Sequence, residues 1–230
     1  MWHRLPRMVL SFSVSPVLYL VAFGLGLGKH ITIHGRPYLE FLIPGLVAAS
    51  SMMQGFGINV EINVARFYMR VFEEIQAAPV SNLAYVLGEI LAGVSRAFLS
   101  VSIILFITAL ARVSFSYGPA FWAGVFLNSF IFAALGVTSA MLIKSHADQA
   151  LVSNFIITPM AFLGGTFFPV GNMPGPVQII LKTLPLTHAS RLIRQAAYGQ
   201  KILWNDLGIL VALAGASLLL AYWSVDKARD

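Results

Sequence analysis

The chain has 230 residues, of which 58% are hydrophobic and only 10% are charged. Soluble domains carry about 25% charged residues, so this composition excludes an ordinary soluble protein and predicts an all-α polytopic membrane protein. The absence of cysteine excludes disulfides and thiolate metal sites, and the basic residues behind the net charge of +6 lie at the edges of apolar runs, which indicates contact with lipid headgroups and not with nucleic acid.

Six apolar runs follow one another along the chain, separated by short polar turns. A membrane-spanning helix needs roughly 20 mostly apolar residues, and each run is about that long. The first run is too long for the core of a signal peptide, so we expect it to be a span. The whole chain, 1–230, is predicted to be a single transmembrane domain. Its six spans are expected at about 8–28, 38–64, 83–111, 120–143, 150–168 and 204–223.

A charged segment, "RFYMRVFEEIQAAPVSN", lies between the second and third runs. The spacing predicts an amphipathic helix over 66–79, which Pro79 ends because the residue before a proline disfavours the helical conformation. Arg70 and Glu74 are four residues apart on its polar face, a spacing that supports an ion pair. The residues alone leave two interpretations, a helix lying on the membrane surface or a helix that docks on another protein. The apolar face is expected to carry Tyr68, Val71, Phe72, Ile75 and Ala78.

Three charged residues lie within or at the ends of predicted spans: Glu61, Glu89 and Arg96. Charges inside a membrane are costly and by default face the interior of the helix bundle. Glu89 and Arg96 share one face of a helix about 10 Å apart, and Glu61 is a candidate partner for Arg96. Structural ion pairing and contact with a polar substrate both fit these residues.

Two short amphipathic helices are predicted within 174–200, before the last run. Pro176 suits the first turn of one helix, Thr187 suits the N-cap of the other, and Gly199 suits its C-terminal cap. The second helix carries His188, Arg191 and Arg194 at a spacing of three residues. This cationic face suits either anchoring to headgroups or contact with a phosphate or acidic sugar.

No catalytic, cofactor-binding or metal-binding motif is found in the sequence. The five histidines and nine acidic residues form no HExxH or other metal spacing, and "GLGLGKH" lacks the Ser or Thr of a phosphate-binding loop. The chain is therefore predicted not to be an enzyme and to bind no cofactor itself. The loops on the two sides of the membrane carry equal numbers of lysine and arginine residues, seven on each side. This count therefore does not fix the orientation of the chain.

Three stretches together resemble the membrane permeases of ABC-2 type exporters, and most of all the nodulation-type lipo-oligosaccharide and daunorubicin-type drug export permeases. They are "FLIPGL", "ARFYMRVFEEIQAAPVSNLAYVLGEIL" and "FLGGTFFPVGNMPGPVQIILKTLPLTHASRLIRQAAYG". The resemblance covers about residues 37–199. The sequence departs from the family at "MWHRLPR", which is short for the amphipathic helix that such permeases carry before the first span.

The resemblance implies a homodimeric permease of the bacterial inner membrane with both termini in the cytoplasm. It also implies two copies of a separate ATP-binding subunit, which would hold ATP and Mg. Residues 174–200 match the family's outer re-entrant helices, and 66–79 match its coupling helix. The implied contacts with the ATPase are Arg66, Arg70, Phe72, Glu73, Glu74 and Pro79.

Three functions remain open at this point. The first is export of a lipid-linked oligosaccharide, polysaccharide or similar amphipathic molecule, in contact with membrane lipids. The second is export of hydrophobic drugs by the same machinery. The third, from a different class, is a membrane scaffold or channel that transports nothing by ATP hydrolysis.

Overall fold

A computed structural model describes residues 14, 17–27, 31–33, 35–111 and 113–228 of the chain. These residues are mostly helical, with one two-stranded hairpin formed by β1 (Thr32–Ile33) and β2 (Arg36–Pro37). The helix α2 (Tyr38–Tyr68) consists of the consecutive segments Tyr38–Phe56, Ile58–Asn63 and Val64–Tyr68. The single-segment helices are α1 (Leu20–Leu27), α3 (Val71–Ala77), α4 (Asn82–Leu110), α5 (Pro119–Leu142), α7 (Gly175–Thr183), α8 (Pro185–Ala197) and α9 (Trp204–Lys227). The helix α6 consists of the consecutive segments His146–Val152, Ser153–Ile157 and Thr158–Leu163.

Four of these helices, α2, α4, α5 and α9, are long and apolar enough to cross a membrane. They correspond to the second, third, fourth and sixth predicted spans. The start of the first predicted span, 8–28, lies outside the described residues, and only its later part forms α1. The helix α6 begins before the predicted fifth span, 150–168, and ends five residues earlier. The count of six spans therefore remains a prediction.

The helix α2 is the centre of the bundle. It packs against α4, α5 and α8, and 78% of its most apolar window is buried, compared with 33% for α9. Close packing of α2 requires glycine at Gly45, because a Cβ there would lie 2.5 Å from the carbonyl oxygen of Thr166. Small residues let backbones approach in this way within membranes. The turn after α6 is thereby held directly against α2.

Local sequence signals explain most helix ends. The Ser81 side chain accepts a hydrogen bond from the amide of Ala84 at the start of α4, and Pro176 lies in the first turn of α7 as predicted. Gly199, at φ +64°, ends α8 as predicted. The predicted Thr187 cap is wrong, because α8 begins at Pro185 and Thr187 lies inside it. Proline is favoured in a first turn, where its missing N–H costs no hydrogen bond.

The bundle has two distinct ends, which lie at opposite ends of α2. We call one the charged-helix end; it contains α3 and the C-terminal ends of α5 and α9. We call the other the cavity end; it contains the β1–β2 hairpin, the turn after α6, and α7 and α8. There, the Tyr38 hydroxyl donates to the Phe167 carbonyl at 3.0 Å, and the Tyr198 hydroxyl donates to the Glu40 carbonyl at 3.0 Å.

Candidate functional sites at the two ends of the bundle

The helix α3 presents one apolar side to the bundle. Phe72 is 5% exposed and belongs to a buried cluster with Ile62 of α2, Val86 of α4, Val137 of α5 and Val225 of α9. Burying a phenylalanine side chain stabilises its position by about 1.5–3 kcal/mol. The anchor of α3 therefore lies among four long helices.

The polar side of α3 faces outward. Arg70, Glu73, Glu74 and Pro79, all expected at the ATPase contact, are exposed. They protrude from the bundle beside the buried Phe72, so this short helix combines a fixed apolar anchor with an accessible charged surface.

The structure divides the predicted helix 66–79 into two segments. Arg70 has φ +54°, a left-handed conformation that is uncommon outside glycine, and α3 begins only at Val71. Tyr68 consequently lies on the end of α2, where it is 70% exposed and stacks on His146 at 4.9 Å. The apolar side of α3 does not include Tyr68, because the reversal at Arg70 interrupts the helical period.

Polar contacts attach both flanks of α3 to the ends of other helices. Before α3, Arg66 donates to the Met141 carbonyl at 2.7 Å, and Asn63 donates to the Ile143 carbonyl at 3.1 Å. The last four carbonyls of a helix lack partners within it, so these side chains cap α5. After α3, Asn82 donates to a carboxylate oxygen of Asp226 in α9 at 2.9 Å.

The three predicted intramembrane charges lie near one another. Arg96 of α4 donates to Glu61 of α2, the partner proposed for it from the sequence. Glu89 of α4 is half-buried and lies close enough to Glu61 and Tyr85 to interact with both. The arrangement joins α2 to α4 near the charged-helix end.

A cavity of about 530 Å³ opens at the cavity end. This volume lies within the 300–1,000 Å³ range of small-molecule sites. The β1–β2 hairpin, α2, the turn after α6, α7 and α8 all contribute to its wall. Its basic lining residues are Arg36, Lys182, Arg191 and Arg194, and its polar ones include Gln178, Thr187, Ser190, Gln195 and Tyr198.

A buried acid, Asp206, organises one side of this end. Asp206 is 2% exposed, and its Oδ1 lies 2.7 Å from Nδ1 of His188 and 3.4 Å from Nη1 of Arg191. The other ring nitrogen of His188 lies 2.8 Å from the carbonyl oxygen of Lys182. Both ring nitrogens of His188 are therefore held by oxygen atoms of neighbouring residues. The cluster fixes α8 to the start of α9.

Arg194 holds the opposite side together. Its Nη2 donates to the Gly165 carbonyl at 2.8 Å and the Phe41 carbonyl at 3.3 Å, and its guanidinium lies 3.9 Å from the centre of the Phe41 ring. Burial lowers the pKa of Arg194 to about 10, which leaves the side chain charged at neutral pH. Burial raises the pKa of Tyr198 above its usual value, so its hydroxyl stays protonated and donates to Glu40.

The cationic face predicted on the second amphipathic helix is distributed differently in the structure. The side chain of Arg191 is 37% exposed, and Arg194 is half-buried and donates to interior carbonyls, whereas His188 is buried. Sequence reasoning missed Asp206 and Lys182. The one available signal for Asp206 was an acid in the first turn of an apolar run, where helices favour negative charge.

No group of three or more His, Asp or Glu side chains suited to a metal ion occurs in the part of the chain that the structure describes.

Comparisons with known proteins agree with the resemblance seen in the sequence. Residues 1–198 match the family model described as "ABC-2 type transporter". The inner membrane transport permease YadH of Escherichia coli (strain K12) is 26% identical, over 99% of this chain and 92% of that protein. Nodulation protein J of Rhizobium meliloti (strain 1021) is 29% identical, over 87% of this chain and 78% of that protein. Nodulation protein J of Sinorhizobium fredii (strain NBRC 101917 / NGR234) is 31% identical, over 82% and 73%.

Proposed function

Because the chain belongs to the ABC-2 type transporter family, we propose that it is the transmembrane permease subunit of an ATP-driven exporter in the bacterial inner membrane. ABC-2 permeases work with separate ABC ATP-binding subunits. The proposed assembly contains two copies of this chain and two of that partner, which supplies the ATP and Mg site. The proposed substrate is a lipid-linked oligosaccharide, polysaccharide or similar amphipathic molecule.

The observation that carries the proposal is the construction of α3. Its charged side is exposed, while Phe72 lies in a cluster to which α2, α4, α5 and α9 all contribute. A partner that moves against Arg70, Glu73 and Glu74 would therefore displace a residue packed between four long helices. Packed helices respond to such a displacement by shifting between discrete arrangements. The helix α3 thus has the properties required of a coupling helix.

This role assigns an orientation to the protein. The charged-helix end faces the cytoplasm, where ATP is available, together with both termini, and the cavity end faces outward. The apolar helix surfaces available for pairing of two copies include those of α4 and α9, whose most apolar windows are only 39% and 33% buried within the chain. Those surfaces face lipid or the second copy.

The cavity end favours an amphipathic substrate over a hydrophobic drug. Its cavity is lined by four basic and several polar side chains, which suit a polar or anionic headgroup. Hydrophobic drug export is the second candidate because the sequence resembles daunorubicin-type as well as nodulation-type permeases. Stimulation of ATP hydrolysis in the reconstituted complex distinguishes them, since lipid-linked oligosaccharides stimulate under the first proposal and drugs under the second.

Site-specific cross-linking tests the ATPase contact. The chain has no cysteine, so a single Glu74→Cys substitution introduces one thiol on α3 for a photoactivatable cross-linker. We expect this variant to cross-link to the ATP-binding subunit when the two are produced together. Lys201→Cys is a matched control, because Lys201 is also exposed but lies near the cavity end. Equal cross-linking from the two positions, or none from Glu74→Cys, would contradict the assignment.

A further inference from the structure

The cavity has an excess of positive charge. Four basic side chains line it, and no acidic one does among the residues that the structure describes. Two of the four form ion pairs with acidic residues that do not line the cavity. Arg36 pairs with Glu40 at 3.2 Å, and Arg191 pairs with Asp206 at 3.4 Å. The same oxygen of Asp206 also lies 2.7 Å from Nδ1 of His188, so Arg191 shares this carboxylate with a second side chain.

The other two basic residues, Lys182 and Arg194, have no acidic partner within the described part of the chain. Arg194 donates to carbonyl oxygens instead, which satisfy its hydrogen bonds without neutralising its charge. Lys182 and Arg194 therefore give the cavity about two uncompensated positive charges. Charge of one sign in a concave site concentrates ions of the opposite sign.

Thr187 provides a second, independent sign of a ligand. It is 2% exposed, it lines the cavity, and its hydroxyl has no hydrogen-bond partner. The nearby Ser190 hydroxyl, in contrast, bonds to the Gly164 carbonyl at 2.8 Å. The buried Nε of Arg194 also lacks an acceptor. Buried polar atoms are nearly always paired, so two unpaired groups at one cavity indicate a missing acceptor.

We propose that this cavity binds a phosphate-type oxyanion, held by Lys182, Arg194 and the Thr187 hydroxyl. Phosphate oxygens accept several hydrogen bonds at once and form strong charge-assisted bonds with arginine and lysine. The cavity, about 530 Å³, is larger than a phosphate alone and admits the group that carries it. The phosphate would belong to the anionic headgroup of the exported amphiphile, held near its exit from the membrane. This identification of the phosphate's carrier rests on the proposed function.

Direct titration of the full chain in dodecyl maltoside tests the site without any ATPase. The probes are inorganic phosphate, dihexanoyl phosphatidic acid, and dihexanoyl glycerol as the uncharged control, each followed by calorimetry. We expect saturable binding of a phosphate-bearing probe and none of the glycerol. Binding of inorganic phosphate identifies a free oxyanion as sufficient, whereas binding of phosphatidic acid alone identifies a phosphate carried by lipid.

Two substitutions give the test its specificity. Lys182→Gln and Thr187→Val are each expected to raise Kd roughly tenfold, the equivalent of one charge-assisted hydrogen bond. Thr187→Val keeps the shape of the side chain and removes a hydroxyl that has no partner in the protein, so thermal stability should not fall. Lys201→Gln removes an exposed charge outside the cavity and should leave Kd unchanged.

Two results would overturn the proposal: no saturable binding of either phosphate-bearing probe, or parental affinity in both Lys182→Gln and Thr187→Val. Neither result depends on the ATP-binding subunit. The anion site can therefore fail while the cross-linking of α3 to the ATPase succeeds, and the reverse outcome is equally distinguishable.

Discussion

Substituting Gly45 with alanine should destabilise the cavity end of the bundle. The added Cβ would lie 2.5 Å from the carbonyl oxygen and 2.8 Å from the Cα of Thr166. Both are backbone atoms, so the contact cannot be relieved by a side-chain rotation. Thr166 adjoins Gly165, whose carbonyl accepts a hydrogen bond from Arg194. Moving this turn away from α2 would therefore disturb a wall of the cavity as well.

The expected magnitude follows from the kind of contact. Overpacking a core costs about 1–3 kcal/mol, and a clash with backbone should fall at the upper end, near 3 kcal/mol. For a chain of this size, each kcal/mol lowers the denaturation midpoint by about 2–4 °C, so Gly45→Ala should lower it by about 6–12 °C. Thermal denaturation of the purified protein at a fixed scan rate measures this shift.

Two matched substitutions separate the clash from a general effect of alanine in a helix. No atom lies within 4 Å of a Cβ placed at Gly88 of α4 or at Gly215 of α9. Alanine favours the helix over glycine by about 1 kcal/mol, so Gly88→Ala and Gly215→Ala should be neutral or slightly stabilising. If Gly45→Ala were as stable as these two, the close packing of α2 on the turn after α6 would be refuted.

Two further substitutions test the polar contacts that hold each end together. Asp206→Asn should cost about 3 kcal/mol, because it removes the buried carboxylate that contacts both His188 and Arg191. A thermal midpoint unchanged from the parent would argue against the His188 and Arg191 contacts. Arg66→Gln should cost about 1–2 kcal/mol through loss of the charged hydrogen bond that caps α5, whereas Arg70→Gln, on an exposed side chain, should leave the midpoint unchanged. Equal losses from the two arginine variants would count against the cap.

The long apolar helices were the most predictable part of the fold. Runs of 20 or more apolar residues admit few alternatives, and α2, α4, α5 and α9 start or end within a few residues of the predicted bounds. The pairing of Arg96 with Glu61 was also predictable, since a charge in a span needs a partner. Both features follow from the cost of placing polar groups in hydrocarbon.

Features that no local sequence pattern marks were not predictable. The left-handed conformation of Arg70 interrupts a good helical period, and no residue signal such as glycine marks it. The β1–β2 hairpin is only two residues per strand, too short for a periodic pattern. The inward position of Arg194 depends on carbonyls of Phe41 and Gly165, which are brought to it by α2 and the turn after α6.

Coupling between ATP hydrolysis and export tests the central claim most directly. The variant Arg70→Glu/Glu73→Lys/Glu74→Lys reverses the exposed charges of α3 and leaves the Phe72 anchor unchanged. Export per ATP hydrolysed should be measured in vesicles that contain the permease and its ATP-binding subunit, with Lys201→Glu as the control. We predict that the triple variant folds and enters the membrane but loses export per ATP, whereas the control retains it. Undiminished coupling in the triple variant would contradict the role of α3 as the coupling helix.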